Sequence, residues 1–195
     1  MASPLQVSQI AQPSVSFVIA LVGMPGSGKS TVGRQLARRL KLDFVDSDHL
    51  IEERLGCTIR AYFEREGEEA FRDVEQEVID ELTRRDGLVL STGGGSVLRQ
   101  ENRQHLHARC QVVYLRSSPE EVFRRVRHDR NRPLLQVDDP MQRLRDLYKA
   151  RDPLYRQAAH FVIDTGRPSM ATLVNMIVMQ LELAGRLPGA PAAGG

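Results

Sequence analysis

Residues 23–31, GMPGSGKST, follow a run of six apolar residues, FVIALV (17–22), and lead directly into a helical pattern. This junction constrains the fold more than any other stretch. Its glycines let successive backbone N–H groups curl around an anion without β-carbon clashes. The helix that follows aims the positive end of its dipole at the same point. Gly23, four residues, then Gly28-Lys29-Ser30 is the spacing of a phosphate-binding loop, with a strand before it and a helix after it as that loop requires. Lys29 is placed to reach β- and γ-phosphates, and the Ser30 hydroxyl to bind Mg²⁺. Thr31 reads as a helix residue packed beneath the loop. A glycine turn capped by Ser30 is the plainer alternative, but the full pattern favours a nucleoside triphosphate site.

Further β-like runs alternate with helical spacing: DFVD (43–46), GLVLST (87–92), QVVYLR (111–116) and HFVID (160–164). Several are apolar throughout, which suits strands buried on both faces of a parallel sheet. Val32, Leu36 and Leu40 recur every fourth residue, as do Leu173, Ile177 and Leu181. Five strands alternating with helices predict a three-layer α/β fold. One domain over 15–187 is expected, with a loose polar arm at 1–14 and a disordered tail, PGAPAAGG, at 188–195.

Composition removes several classes of function. A net charge of +2 is too small and dispersed to argue for nucleic acid. The apolar stretches fall far short of the roughly 20 residues of a membrane span, and residues 1–14 lack the basic start and apolar core of a secretory leader. Cys57 and Cys110 form no metal spacing and read as reduced thiols of a cytoplasmic protein. His105 and His107 should face different sides of a surface helix. Among 27 basic residues only Lys29, Lys41 and Lys149 are lysine, so any anion site is built mostly from guanidinium forks.

Carboxylates belong opposite the phosphate loop. Strand 43–46 ends in Asp46-Ser47-Asp48, at the carboxyl edge of the sheet where ligands bind. Asp46 could hold magnesium through water and Asp48 meet a substrate hydroxyl; a helix cap by Ser47 or Asp48 is the bland alternative. Asp164, followed by Thr165-Gly166-Arg167, reads as a turn residue bonding its own backbone. Gly93-Gly94-Gly95 lets the backbone approach something closely, and its place after a strand favours a ligand. The stretch 128–140, HDRNRPLLQVDDP, suits a mobile lid.

GMPGSGKST, DSD, FRDVE, STGGGSV, NRPLL and ARDPLY, in this order, closely resemble shikimate kinase from about Phe17 to about Leu181. The resemblance implies a nucleoside-monophosphate-kinase-like fold, with a five-stranded parallel sheet of order 2-3-1-4-5. It implies transfer of the ATP γ-phosphate to the 3-hydroxyl of shikimate, in the pathway to aromatic amino acids. Carried over by position, Pro25, Gly26, Ser27, Gly28, Lys29, Ser30 and Thr31 hold the nucleotide, with Ser30 and Asp46 at Mg²⁺. Asp48, Arg72, Arg151 and the loop Gly93, Gly94 and Gly95 meet shikimate. Arg132 reaches the phosphates from the lid, Arg125 flanks adenine, and Arg167 is assigned to the adenine loop. A monomer binding only ATP and shikimate is expected. The rivals are another small-molecule kinase of this fold, for gluconate or a nucleoside monophosphate, or a non-catalytic shikimate-binding regulator. Such a regulator should have lost Lys29, Asp46 or Asp48, and none is lost.

Overall fold

The computed structural model describes residues 17–128 and 136–187. The predicted arm and tail, and residues 129–135 of the predicted lid with Arg132, lie outside the described residues.

Five strands form one parallel sheet in the order β2-β3-β1-β4-β5. They are β1 (Val18–Val22), β2 (Asp43–Asp46), β3 (Leu88–Ser91), β4 (Gln111–Arg116) and β5 (Phe161–Asp164). Seven helices accompany them among the described residues: α1 (Lys29–Leu40), α2 (Ser47–Leu55), α3 (Ile59–Leu82), α4 (Gln100–Arg109), α5 (Pro119–Val126), α6 (Pro140–Ala158) and α7 (Met170–Leu183). The predicted strands and their order hold, each within a residue or so of its expected ends.

Strand β1 shows why its run is apolar at every position. Val18, Ala20 and Val22 join a core with residues of α2 to α6, while Ile19 and Leu21 join another with α1 and α7. Both faces of the central strand are therefore dry. Replacing a residue such as Ile19 by alanine would cost about 2–5 kcal/mol. In α7, Leu173, Ile177 and Leu181 are all buried. In α1, Val32 and Leu36 are buried, and Leu40 reaches the core's margin. The sheet thus forms a rigid floor whose carboxyl edge carries the loops of interest.

The alternation of β4 and β5 brings Arg116 and Asp164 level at that edge. Arg116 donates from Nε and Nη2 to the two carboxylate oxygens of Asp164, at 2.5 and 2.7 Å. This corrects the turn reading: Asp164 is spent on a cross-strand ion pair, which also holds its carboxyl below the ordinary aspartate range. Cys57 and Cys110 are free thiols. His105 sits beside Asp80 while His107 stacks on His160, so the two do face different sides. No described helix is long and apolar enough to cross a membrane.

Candidate active site

The chain leaves β1 through a loop whose turns need glycine. Gly26 and Gly28 lie at φ 80° and 92°, in the left-handed region. Gly28 caps α1 with no side-chain acceptor, and no acidic residue occupies the first turn. The helix therefore offers bare N–H groups and an uncancelled dipole to an anion. Lys29 is buried and folds back over its own loop, with Nζ donating to the Gly23 and Met24 carbonyls at 2.9 Å each. Pro25, Gly26, Gly28, Lys29, Ser30 and Thr31 line one side of a cleft of about 420 Å³. Ser27 is buried behind it. Thr31 is exposed at the cleft and not packed beneath the loop, because α1 turns its Val32–Gly33 face to the sheet instead.

Asp46, Asp48, Thr92 and Gly94 line the cleft too. Register places Asp46 level with Ser91, at the end of the β2–β3 pair. The Ser30 hydroxyl donates to Asp46 Oδ2 at 2.5 Å and lies 3.2 Å from the Ser91 hydroxyl. The other Asp46 oxygen accepts from the Asp48 and His49 N–H groups and so caps α2. The cap is thus Asp46, where Ser47 or Asp48 was the sequence alternative, because β2 stays extended through Asp46. One carboxylate both starts a helix and faces Ser30. Two oxygen donors that close together suit a hard cation such as Mg²⁺, which takes oxygen ligands and keeps several waters.

Asp48 is half-buried on the first turn of α2, and its carboxyl is pushed up to about 6. Burial is the largest cause; the nearby Asp46 and Glu75 carboxylates add to it, and Lys29 opposes it. The glycine run is fitted around this carboxylate. A β-carbon at Gly93 would fall 2.4 Å from Asp48 Oδ1, one at Gly94 2.6 Å from Pro25 Cγ, and one at Gly95 2.6 Å from the Arg72 guanidinium. The close approach foreseen for these glycines is thus first to the protein's own site residues. Gly94 lines the cleft, whereas Gly93 is buried and donates its N–H to Ser47 Oγ at 3.0 Å.

Arg72 belongs to the second half of α3, which Gly67 breaks at φ 87° just before Glu68. Its guanidinium is not an open fork. Nη1 donates to Glu75 Oε2 at 2.7 Å and Nη2 to the exposed Glu68 at 3.2 Å, while the buried Nε has no acceptor among the described residues. Phe71 and Phe63 lie under the cation at 5.2 and 5.9 Å. Glu75 is 1% exposed and also accepts from Ser96 Oγ at 2.9 Å. It is the functional neighbour that the sequence reading missed, although its place three residues after Arg72 marks an ion pair on one helix face. Arg151 is half-buried on α6, and its charge lies beside the Tyr155 hydroxyl.

Arg125 lines the cleft beside the phosphate loop. It ties two loops together, donating to the Ser27 carbonyl at 3.2 Å and to the Thr165 carbonyl at 2.8 Å. A capping box of Ser118 and Glu121 starts α5 and so sets the position of Arg125. Arg167 is not brought to this cleft. It lines a separate hollow of about 470 Å³ with Arg116, Tyr148 and Asp164.

The geometry has counterparts. The sequence model of the shikimate kinase family matches residues 25–182. A shikimate kinase of Paracidovorax citrulli is 61% identical over 176 residues, covering 89% of this chain and 96% of that one. The solved shikimate kinase of Acinetobacter baumannii, in complex with shikimate, superposes with a TM-score of 0.81 at 50% identity, over 88% of this chain and 95% of that one. A gluconokinase of Sinorhizobium meliloti, at 16% identity and a TM-score of 0.54 over 87% of this chain and 94% of that one, shares the fold alone. The chain belongs to the shikimate kinase family.

Proposed function

We propose that this chain transfers the γ-phosphoryl group of ATP to the 3-hydroxyl of shikimate, giving ADP and 3-phosphoshikimate on the route to chorismate and the aromatic amino acids. The observation that carries the reading is one cleft in which the Lys29 loop and the Asp48 carboxylate face each other. Phosphoryl transfer asks little covalent chemistry of a protein and much positioning and charge neutralisation. The loop and the open α1 terminus take the phosphates, and Lys29 shifts from its loop carbonyls toward them. Ser30 and Asp46 would hold Mg²⁺. When bound, that ion neutralises charge on the phosphates. Arg132, by resemblance, adds charge from the lid, and Arg125 steadies the base end of the nucleotide. No support from the cleft attaches to Arg167.

Asp48 takes the acceptor hydroxyl. A carboxyl pushed up to about 6 is mostly ionised at neutral pH, yet it is a better base than an exposed aspartate. Arg72 and Arg151 pair with the shikimate carboxylate beside the Gly93–Gly95 loop, and Glu75 keeps the Arg72 fork in place. The mild net charge supports a chain without a nucleic-acid partner; that it acts as a cytoplasmic monomer away from membranes is part of the proposal.

The test is ADP release with ATP and Mg²⁺, with and without shikimate, and with gluconate or a nucleoside monophosphate as acceptor. Release that depends on shikimate and on the metal is expected. Equal release without shikimate, or equal use of gluconate, would overturn the reading.

A further inference from the structure

Helix α6 carries Arg151 and, four residues on and so on the same face, Tyr155. Tyr155 is fully buried, and its hydroxyl donates to the Gly94 carbonyl at 2.6 Å. Its ring lies 5.0 Å from that of Tyr114, whose own hydroxyl donates to Asp152 at 2.9 Å. Packing therefore holds the ring independently of its hydroxyl. One residue earlier in the loop, the Gly93 N–H donates to Ser47 Oγ, and Ser47 is also fully buried. Adjacent residues of the glycine loop are thus pinned from two elements, by Ser47 of α2 and by Tyr155 of α6. The pinned peptide leaves no room for a β-carbon against Pro25 of the phosphate loop.

We infer that Tyr155 is a positioning residue for the acceptor side of the reaction: through the Gly94 carbonyl it sets the glycine loop between α6 and the phosphate loop, and so sets where shikimate is held. The inference rests on the proposed role of this loop in acceptor binding. A buried tyrosine needs a partner for its hydroxyl in any case. A merely structural bond would change melting temperature and leave the two Michaelis constants in proportion.

Tyr155→Phe removes the hydroxyl and keeps the ring. With a half-buried acceptor left without this donor, the KM for shikimate should rise about fivefold to thirtyfold, while the KM for ATP should stay within about twofold of wild type. Because the hydroxyl also lies beside the Arg151 charge, Ser47→Ala and the double variant separate the routes. Two pins on one loop should give coupled effects on the shikimate KM; additive effects would place the action on Arg151 and overturn the inference. An unchanged shikimate KM with a lowered melting temperature would overturn it as well. Should Tyr155→Phe fail to fold, Ser47→Ala alone carries the same split between the two KM values. Wild-type protein with no shikimate-dependent ADP release would sink both this inference and the functional reading, whereas an active wild type with an indifferent variant sinks the inference alone.

Discussion

The two sides of the cleft are built by different means. The phosphate side is one continuous piece of chain, β1, loop and α1, and even Lys29 is held by carbonyls five and six residues before it. The proposed acceptor side is assembled from α2, α3, α6 and the glycine loop. Its bonds span 21 residues between Ser96 and Glu75, 46 between Gly93 and Ser47, and 61 between Tyr155 and Gly94. A local site depends on backbone conformation, and a non-local one on side chains that bond and repel one another. Disturbing the first should therefore harm one ligand. Disturbing the second should spread to neighbours and to stability.

Asp48→Asn breaks the comparison most severely. On the proposed reading the amide would still hydrogen-bond the 3-hydroxyl but could not take its proton, so turnover should fall about 10²- to 10⁴-fold. ATP affinity should hardly move, because the phosphate side stands without this residue. Turnover at saturating shikimate, with ATP titrated separately, gives both numbers. A small fall would reduce Asp48 to an orienting role, and a parallel loss of ATP affinity would dissolve the division between the two sides.

Arg72→Ala should follow, weakening shikimate binding by about 2–5 kcal/mol. It should also lower the melting temperature, because Glu75 at 1% exposure would lose its ion-pair partner. Arg151→Ala should weaken shikimate binding while leaving that pair intact, so its melting temperature should fall less. Shikimate titrations and thermal melts of both variants decide this. Equal melting losses would show that the Arg72–Glu75 pair has no special stabilising part.

The same division explains what could be read in the sequence. The phosphate loop is legible because its glycines, lysine and serine act within nine residues. The placing of Asp46 and Asp48 follows from the carboxyl-edge rule, whereas the sheet order came only with the resemblance to shikimate kinase. The glycine run could be read as a close approach, but Asp48, Pro25 and Arg72 as its partners could not, since they come from three other segments. The cap alternative fell one or two residues late, at Ser47 or Asp48, because α2 starts at Ser47 directly after the last strand residue, with no connecting turn between them. Asp164 looked like a turn aspartate because its cation, Arg116, lies 48 residues away and is made adjacent only by β4–β5 register. Gly67 was visible as a lone glycine in a helical pattern, a break signal left unused.

Asp46→Asn tests the residue on the seam between the two sides. Asparagine caps helices as well as aspartate does, so α2 should keep its start and the melting temperature should move little. The neutral amide holds a metal's waters less well, and the Mg²⁺ concentration for half-maximal rate should rise about 10- to 100-fold. Rate against Mg²⁺ at saturating ATP and shikimate is the measurement. A large melting loss with an unchanged Mg²⁺ requirement would make Asp46 a capping residue alone.

The smallest expected effect concerns stability and has the opposite sign from the loss of activity. Asp48 has a folded-state pKa of about 6 against an ordinary value of 3.8, so folding makes its charged form unfavourable. Above about pH 6 the carboxylate is ionised in both folded and unfolded chains, and the penalty is fully present. As pH falls through that value the folded chain takes up the proton first and the penalty shrinks; below about 4 both states are protonated and it is gone. A shift of this size corresponds to about 3 kcal/mol at most, and water at the cleft mouth reduces it to about 1–2 kcal/mol. Asp48→Asn should therefore stabilise the ligand-free protein by that amount at pH 8, with the gain fading between pH 6 and 4. Melting temperatures of both proteins across this range provide the check. A gap that does not change with pH would mean that the acceptor side does not strain this carboxylate. A gap that closes as described would show that the charge needed for transfer is the one that folding disfavours.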